Sequence, residues 1–353
     1  MAGGQQRKGL TLKKIEIQGD TGNSQIFVGE RLENLASYLH QNQVVIITDD
    51  HVARFYQKDF PKIPVIRIGT GEGVKTLDTV ERVYQQLIEL EADRSVFLLG
   101  IGGGIVCDVT GFAASTYLRG VRFGYVPTTL LAQVDASVGG KTGVNFMGYK
   151  NMVGVFNQPE FVICDPAVLK TLPRRELASG FAEIVKHAAI ADESYFTYLE
   201  KNAANALALD PDVLQQIIYD SVVIKADIVS RDETEKGERR KLNFGHTFGH
   251  AMEKTAGIFH GEAVSIGMMV ATLLSVSKNM LTENEVGRIK SLLSVFNLPV
   301  EIETDKAGIL DALARDKKRE GDGIYFVLLS GIGHAVVEKI TLAELEKVLY
   351  GIP

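Results

Sequence analysis

The sequence predicts an α/β N-terminal region with a doubly wound parallel sheet, followed by a mostly α-helical C-terminal region. In the first half, short runs of β-branched residues alternate with amphipathic segments, as in sheets whose parallel strands are joined by helices. After Pro166 the pattern changes to long segments of helical periodicity. A glycine cluster at residues 100–104 directly follows one predicted strand, and sheets of this class bind ligands at the carboxyl ends of their strands.

The strands of the first half are predicted from their apolar, β-branched character. Residues 14–17 and 25–28 flank a polar, glycine-containing turn and indicate an opening hairpin. Apolar residues recur at helical spacing across residues 76–90, which predicts an amphipathic helix there. The other predicted strands are buried runs at residues 44–49, 65–68, 95–99, 121–126 and 161–164.

The second half is predicted to be mostly helical, with a short strand pair around residues 325–333. Pro166 and Pro173 mark the change of pattern, so we expect two domains, residues 1–165 and residues 166–353. The cleft between them is the expected site. The predicted helices span residues 174–191, 194–207, 213–230, 243–255, 262–277 and 284–296.

The composition excludes several classes of protein. The chain has 353 residues, of which 45% are hydrophobic and 23% charged, as in an ordinary globular protein. A net charge of -6 argues against a nucleic-acid partner, which would require a basic face. Cys107 and Cys164 lie among apolar residues and indicate buried thiols in a reducing compartment. The N-terminus lacks the apolar core of a signal peptide, and the most apolar run, residues 263–276, is too short to cross a bilayer, so we expect a cytoplasmic protein.

A histidine- and glycine-rich stretch predicts a metal site. His246 and His250 are four residues apart, so on a helix they lie on one face, and His260 follows them. Imidazole is the commonest metal ligand at neutral pH. A lone histidine is more often a packed or surface residue, but three of the chain's seven histidines fall within this stretch. The neighbouring glycines cost helix stability, which indicates that something approaches the backbone closely.

Two glycine-rich segments predict phosphate binding by the backbone. Residues 100–104 lie where a strand passes into a helix, and residues 69–76 form a second loop before a helix. Glycine lets backbone N–H groups approach a pyrophosphate, and the N-terminus of the following helix adds partial positive charge. The usual dinucleotide fingerprint G-x-G-x-x-G is not met, and solvated tight turns use the same residues, so that alternative stays open.

Residues 119–158 combine basic, amide and apolar side chains. A solvated loop would explain scattered lysines and glycines. It does not explain Leu130 and Leu131 interleaved with Asp135 and Lys141, because that mixture indicates polar groups directed into a partly buried pocket.

A series of short motifs follows one after another along the chain, from about residue 44 to residue 330. They are Gly102-Gly103-Gly104 with Asp108, Arg119-Gly120, Pro127-Thr128-Thr129-Leu130-Leu131-Ala132, Asp135, Gly139-Gly140-Lys141, Lys150-Asn151, residues 243–250, and His260-Gly261-Glu262-Ala263-Val264. No one motif is specific, but their ordered combination resembles the 3-dehydroquinate synthase family.

The resemblance implies the fold of that family, with a Rossmann-like NAD-binding domain over residues 1–165 and a mostly helical metal- and substrate-binding domain over residues 166–353. It implies a phosphate-eliminating lyase of the shikimate pathway, which leads to the aromatic amino acids. The substrate would be 3-deoxy-D-arabino-heptulosonate 7-phosphate and the products 3-dehydroquinate and phosphate. Transient oxidation by NAD, phosphate elimination and an aldol cyclisation would regenerate the NAD in each turnover. A homodimer is also implied.

The resemblance further implies which residues bind the two cofactors. The divalent metal, zinc or cobalt, would be held by Glu183, His246 and His260, which leaves open coordination positions. His250 would not be a ligand but a proton-transfer group facing the substrate. The implied NAD-binding residues are Asp49, Asp50, Glu72, Lys75, Gly103, Gly104, Ile105, Asp108, Thr128, Thr129, Asp135, Lys141, Lys150, Leu169 and Thr171.

Substrate contacts are implied in the same way, with catalytic roles for Lys141, Asn151, Glu235 and His250. Arg119 would reach a phosphate across the dimer interface. Glu235 belongs to an acidic run with Asp232 and Glu233, for which a solvated face is the alternative. The implied substrate-binding residues are Arg119, Asp135, Lys141, Lys150, Asn151, Lys186, Lys225, Arg239, Asn243, His250 and one of Lys317 and Lys318.

Other functions remain as alternatives at this point. A related NAD- and metal-dependent sugar phosphate cyclase, or a polyol dehydrogenase, would share the fold and the glycine cluster. A dehydrogenase would leave Lys141, Lys150, Asn151 and Arg239 unexplained, because it needs no phosphate clamp. A non-catalytic binding protein would be expected to have lost ligands, yet Glu183, His246 and His260 are all present.

Overall fold

The computed structural model describes residues 11–301, 306–314, 319–320 and 323–351. Its strands are β1 (Lys13–Gly19), β2 (Gly22–Val28), β3 (Val44–Thr48), β4 (Val65–Arg67), β5 (Phe97–Gly102), β6 (Arg122–Pro127), β7 (Lys141–Phe146), β8 (Tyr149–Phe156), β9 (Phe161–Cys164), β10 (Arg319–Glu320), β11 (Gly323–Leu329) and β12 (Ala335–Thr341). Its helices are α1 (Asp50–Tyr56), α2 (Leu77–Glu89), α3 (Gly104–Thr116), α4 (Arg174–Ala191), α5 (Glu193–Leu207), α6 (Pro211–Arg231), α7 (His246–Ala256), α8 (His260–Ser277), α9 (Glu283–Val295), α10 (Lys306–Ala314) and α11 (Leu342–Gly351).

Within the described residues, the first half forms a seven-stranded sheet in the order β1-β2-β9-β6-β5-β3-β4. The predicted opening hairpin, β1 with β2, is antiparallel, and the remaining neighbours in this sheet are parallel. Alternate residues of β3 face two separate apolar clusters, Val45 and Ile47 on one side and Val44 and Ile46 on the other. The sheet is therefore covered on both faces, which explains why its strands are continuous apolar runs. The predicted α/β fold class is confirmed.

Polar residues fix where several helices begin. Asp49 accepts a hydrogen bond from the Val52 N–H at the start of α1, and Thr76 accepts one from the Thr79 N–H at the start of α2. Helix α4 has the bounds predicted from the sequence, and α5, α6, α8 and α9 begin within two residues of the predicted positions. Helix α7 begins three residues later than predicted, because Gly245 before it has a left-handed φ of 79°.

The β7–β8 hairpin was not predicted. The two strands pair antiparallel, from Lys141 opposite Phe156 to Phe146 opposite Tyr149, and β7 packs against α3. Most residues of β8 are exposed, so the strand lacks the alternating apolar pattern by which a half-buried strand is found. The predicted strand pair near residue 330 is confirmed as the antiparallel β11 and β12.

The larger apolar cluster contains residues from both halves of the chain, such as Val45 from the sheet, Phe181 from α4 and Leu349 from α11. The two halves therefore share a core, and polar side chains of both meet where Lys225 pairs with Asp135 and Lys141 with Glu235. No helix in the described part of the chain combines the length and the apolar character that a bilayer span requires.

Candidate active site

Three helices bring Glu183, His246 and His260 together, and we call these residues the metal triad. Glu183 lies on α4, and the two histidines are the first residues of α7 and α8. His246 Nε2 lies 3.4 Å and His260 Nε2 lies 3.2 Å from Glu183 Oε1. The ligand atoms of all three residues lie within 4.8 Å of one another. The structure thus assembles the three residues that the resemblance implied as metal ligands.

The donor atoms of the triad fit a zinc-type ion. The Nδ1 atoms of both imidazoles face acceptors, the Phe244 carbonyl oxygen at 3.1 Å from His246 and Glu253 Oε1 at 2.6 Å from His260. Because each Nδ1 can then carry the proton, each Nε2 is left with its lone pair directed at the centre of the triad. One carboxylate and two imidazoles are the donors of many catalytic zinc sites, and such sites keep open positions.

The charges of the triad are those of a cation site. Glu183 is fully buried; burial raises its pKa, but Lys186 and His246 hold that pKa well below its ordinary value. Burial lowers the pKa of His260, but the carboxylates of Glu183 and Glu253 raise it to about 10. The negative charge of two carboxylates is thus concentrated at the imidazoles, and it would stabilise a divalent ion in the same place.

The glycines of this stretch let the helices approach closely. A Cβ atom on Gly267 of α8 would lie 1.9 Å from the carbonyl oxygen of Gly245, and one on Gly261 would lie 2.3 Å from Ser179 Cα of α4. The sequence indicated that something approaches the backbone here. The structure identifies it as the backbone of the neighbouring helices, whose contact fixes the separation of the three ligands.

Asp135, Glu183 and His187 form a second group whose ligand atoms converge. Lys225 Nζ already lies 2.5 Å from Asp135 Oδ1, whereas His187 Nε2 is 3.8 Å from the same atom. Burial lowers the pKa of His187 to about 3, and its Nδ1 faces Ser221 Oγ at 2.6 Å. The Lys225 ammonium already pairs with the Asp135 carboxylate, so of the two groups the triad is the better candidate for a metal site.

Lys186, Lys225 and Arg239 are buried beside the triad, and we call them the cation cluster. Lys186 forms an ion pair with Glu183, so the cluster and the triad are in direct contact. Burial lowers the pKa of Lys225 to about 8 although Asp135 opposes this. Asp135 belongs to the short π-helical turn Ala132–Ala136, a rare conformation that is frequent at functional sites. The cations of the cluster are held by Glu183, Asp135 and the Gly139 carbonyl oxygen, and cations fixed in this way can pair with an anionic ligand.

Glu235 faces the same cleft with a backbone conformation that is rare for a non-glycine residue, at φ 63°. Its two carboxylate oxygens contact Lys141 and Asn243, one each. The acidic run around it is not a solvated face, since Glu233 is buried and hydrogen-bonded to Thr21. Strained residues cluster at functional sites, which supports the implied role of Glu235.

The implied NAD-binding residues lie at the carboxyl edge of the parallel sheet. Gly102 ends β5 and Gly104 begins α3; with Gly103 between them they form what we call the glycine cradle. Thr128 donates its backbone N–H to the Gly102 carbonyl oxygen at 2.9 Å, which places the end of β6 beside the cradle. Thr129 is its neighbour along the chain, and a Cβ on Gly103 would lie 3.0 Å from Thr129 Cγ2. A Cβ on Gly102 or Gly104 would likewise meet Val106 or Ala136, so neighbouring side chains pack closely against the cradle.

Buried polar contacts surround the cradle. Lys75 forms an ion pair with Asp108 of α3 and donates to Asn151 Oδ1 at 2.5 Å. Burial raises the pKa of Asp108 to about 6 although Lys75 opposes the shift. Asn145 of β7 donates to Glu72 Oε1 at 2.7 Å, so the hairpin closes over the second glycine-rich loop.

The remaining residues that the resemblance implies for NAD binding lie after β3 and β9 or in the first turn of α3. Asp49 caps α1 by accepting a hydrogen bond from the Val52 N–H. Asp50 Oδ1 lies 3.7 Å from a guanidinium nitrogen of Arg67. Leu169 is buried, and Thr171 Oγ1 lies 2.8 Å from the Tyr56 hydroxyl. These residues follow β3 and β9, whose carboxyl ends lie at the same edge of the sheet as the cradle. Ile105, in the first turn of α3, is half-buried there.

Among the implied residues that the structure describes, Arg119 is not brought into this cleft. Arg119 is exposed in the turn after α3, with φ 69°, and α3 extends for 13 residues, roughly 20 Å, between the cradle and that turn. Lys317 and Lys318 lie outside the described residues. His250 is exposed on α7, and its ring centroid is 5.3 Å from that of His246, so it lies beside the triad without being part of it.

Sequence reasoning assigned no role to Glu253, although the structure places it against His260. The signal was available, because His246, His250 and Glu253 are spaced by four and then three residues and so lie on one face of a helix. Lys150 of β8 also contacts Glu253, with Nζ 2.5 Å from Oε2. That contact could not be predicted from the sequence, because it depends on the β7–β8 hairpin, which was itself not predicted.

Comparison with known proteins agrees with this arrangement. The family described as 3-dehydroquinate synthase N-terminal matches residues 65–179, and 3-dehydroquinate synthase C-terminal matches residues 180–319. A protein named 3-dehydroquinate synthase from Psychrobacter cryohalolentis is 43% identical over 316 residues, which are 86% of this chain and 85% of that protein.

Solved structures of sugar phosphate cyclases also match. A 2-deoxy-scyllo-inosose synthase complexed with carbaglucose-6-phosphate, NAD+ and Co2+ is 28% identical, with a TM-score of 0.86 over 97% of this chain and 100% of that one. The 2-epi-5-epi-valiolone synthase ValA from Streptomyces hygroscopicus, with NAD+ and Zn2+ bound, is 29% identical, with a TM-score of 0.85 over 97% and 98% of the two chains. From the family matches, the identity to the Psychrobacter protein and the shared fold, the chain belongs to the 3-dehydroquinate synthase family.

Proposed function

We propose that this chain is a 3-dehydroquinate synthase, which converts 3-deoxy-D-arabino-heptulosonate 7-phosphate into 3-dehydroquinate and phosphate. The observation that carries the proposal is the direct contact between the metal triad and the cation cluster, through the ion pair of Glu183 and Lys186. A site for a metal-dependent alcohol oxidation needs the triad alone. A substrate with a carboxylate and a phosphate also needs the buried cations.

The triad would hold a divalent ion, zinc or cobalt, through Glu183 Oε1 and the Nε2 atoms of His246 and His260. When bound, the ion supplies Lewis-acid stabilisation of negative charge on substrate oxygens. Phe244 and Glu253 keep the two imidazoles in the orientation that directs Nε2 inward. His250, on the exposed face of α7 next to His246, is positioned to transfer a proton at its imidazole.

The cation cluster would bind the anionic groups of the substrate. Lys225 is held by Asp135, and the Arg239 guanidinium donates to the Gly139 carbonyl oxygen at 2.9 Å, so both cations are fixed before substrate arrives. Lys141 contacts Glu235, which also contacts Asn243, and this set lies ready to exchange protons with a bound hydroxyl. Lys150 and Asn151 approach from the β7–β8 hairpin.

NAD would bind along the carboxyl edge of the sheet, with its phosphates at the glycine cradle, and supply reversible hydride transfer. Lys75 and Asp108 would flank it, since their ion pair borders the start of α3. We propose residues 1–165 as the NAD-binding domain and residues 166–353 as the metal- and substrate-binding domain. Asp135, Lys141, Lys150 and Asn151 of the first would complete the substrate site of the second.

We propose a cytoplasmic homodimer as the working form. Both cysteines are free and buried in the structure, which suits a reducing compartment. Arg119 is exposed, has a left-handed backbone and is far from its own cradle, which suits a contact with a second copy. Light scattering coupled to size-exclusion chromatography tests this; a monomer at micromolar concentration would contradict it.

The function is tested by following phosphate release and NADH absorbance together, with purified protein, NAD, zinc and the heptulosonate phosphate. Phosphate release without accumulation of NADH is expected, because the cofactor is recycled in each turnover. NADH that accumulates from simple polyols, with no phosphate released, would instead identify a dehydrogenase.

A further inference from the structure

Glu253 of α7 connects two groups that belong to different parts of the site. Its Oε1 lies 2.6 Å from His260 Nδ1, and its Oε2 lies 2.5 Å from Lys150 Nζ. The side chain of Glu253 is only 6% exposed, whereas that of Lys150 is 56% exposed. One buried carboxylate therefore contacts a metal ligand with one oxygen and a lysine of the β7–β8 hairpin with the other.

The hairpin continues this connection to the nucleotide side of the cleft. Asn151 follows Lys150 in the chain, and its Oδ1 accepts a hydrogen bond from Lys75 at 2.5 Å. Lys75 in turn forms the ion pair with Asp108 beside the glycine cradle. A continuous series of contacts thus runs from the metal triad through Glu253 and the hairpin to the cradle.

A bound ion would restrain the position of Glu253 through His260. When His260 binds an ion through Nε2, the proton must be on Nδ1, and the Glu253 carboxylate is the acceptor that faces it. A carboxylate held in this way also holds Lys150, because the second oxygen is already directed at Nζ. Glu253 therefore touches a residue that would hold the ion and a residue of the hairpin, so a displacement of the His260 ring on metal binding would reach Lys150 through one side chain.

We propose that Glu253 is a positioning residue that couples occupancy of the metal site to binding of NAD, through Lys150 and the β7–β8 hairpin. The inference rests on the metal and NAD sites of the proposed function, but it does not require turnover. Coupling of this kind is reciprocal: if zinc tightens NAD binding by a given factor, NAD tightens zinc binding by the same factor. That factor is the quantity to measure.

The factor is obtained by calorimetric titration of NAD into chelator-treated protein and into protein saturated with zinc. We expect zinc to tighten NAD binding about tenfold in the wild type, within the usual range of coupling between sites. The factor should fall close to one in Glu253→Gln, which can still accept from His260 but has no charge for Lys150. Lys150→Gln should lose it as well, and the double variant should lose no more than either single variant.

A second variant separates orientation of the ligand from coupling. Glu253→Ala removes the acceptor for His260 Nδ1, so its zinc affinity should fall by roughly 10–100-fold, and that of Glu253→Gln by less. Glu160→Gln is the matched control, because it removes a glutamate whose ion pair with Arg122, at 3.5 Å, is remote in the fold from the metal triad. Thermal unfolding of each variant shows whether it is folded.

The proposal is overturned if zinc does not change the NAD affinity of the wild type. It is also overturned if zinc tightens NAD binding by the same factor in Glu253→Gln as in the wild type. Wild-type protein that releases phosphate and binds zinc but shows no coupling would contradict only this inference. Protein that couples zinc to NAD but makes no 3-dehydroquinate would contradict the proposed function and leave the coupling standing.

Discussion

The metal triad and the glycine cradle are built in different ways. The triad consists of side chains from three helices that are locked by close packing, and the Nδ1 atom of each histidine has a defined hydrogen-bond partner. The cradle consists of backbone at the junction of β5 and α3, with side chains only around it. A site of side chains is lost when one residue changes, whereas a site of backbone is weakened when its space is filled. The predictions below test that difference.

The largest effect is expected for the ligands of the triad. His246→Ala removes one of three donors, so zinc stoichiometry and phosphate release should be lost together. Glu183→Gln should do the same while keeping the size of the side chain next to Lys186. Metal content and activity are measured on the same preparation. Full zinc stoichiometry in either variant would show that the ligand set is wrong.

His250→Ala should separate chemistry from metal binding. The residue lies beside His246 but outside the triad, so zinc stoichiometry should be unchanged while turnover falls by roughly 10²–10⁴-fold, as for loss of a general acid or base. Single-turnover kinetics with zinc-saturated protein measure this. Wild-type turnover in the variant would remove His250 from the mechanism.

Gly267→Ala tests whether packing holds the triad in place. The new methyl group would meet the Gly245 carbonyl oxygen, so the free energy of unfolding should fall by about 1–3 kcal/mol or more, and zinc affinity should fall with it. Gly287→Ala in α9 is the control, since nothing lies within 4 Å of its Cβ position. That change should stabilise by about 0.5–1 kcal/mol. Urea unfolding of both variants decides the matter; equal stabilities would show that the helices can separate at no cost.

Gly103→Ala tests the cradle in the same way, and the result should differ. The φ of Gly103 is -73°, so the alanine backbone is not strained, and its methyl group would lie 3.0 Å from Thr129 Cγ2, a contact that a small shift relieves. The fold and the zinc site should persist, while NAD affinity falls roughly tenfold, as for loss of one charge-assisted hydrogen bond. Calorimetry measures both affinities. Loss of zinc binding in this variant would show that the cradle and the triad depend on each other structurally.

The smallest effect near pH 8, about twofold where half of the molecules have lost the charge, is a pH dependence of the cation cluster. Because burial lowers the pKa of Lys225 to about 8, its ammonium is charged below that pH and becomes neutral above it. The kcat/KM for the anionic substrate should therefore fall above pH 8, by about tenfold per pH unit where this group alone titrates. In Lys225→Arg the charge persists, and the fall should disappear. The same fall in that variant would assign it to another group.

The sequence predicted the scaffold better than the site. Strands such as β3 and helices such as α4 follow from apolar periodicity, which local sequence contains. The β7–β8 hairpin is mostly exposed and has no such pattern, so it was missed together with the contacts that Lys150 and Asn151 make. The spacing of the histidines drew attention to His246, His250 and His260 together, and only the resemblance separated His250 from the ligands. Glu183 lies far before them in the chain, and only the resemblance to a family pointed to it.

Some features could be known only from three-dimensional packing. The acidic run near Glu235 looks like a solvated face because sequence does not show that Thr21, from the first hairpin, contacts Glu233. The glycines of α7 and α8 indicated a close approach, but whether of a ligand or of another helix depended on the tertiary arrangement. Local patterns specify which groups are present; topology determines which of them meet.

The contacts between Gly267 and Gly245 and between Gly261 and Ser179 also bear on how the cleft can open. They join α4, α7 and α8 with almost no space between their backbones, so the three ligands move as one body. Any opening must then displace the β7–β8 hairpin and the sheet edge relative to that body. The metal should therefore have a long residence time through many turnovers, while NAD and substrate exchange on the other wall of the cleft.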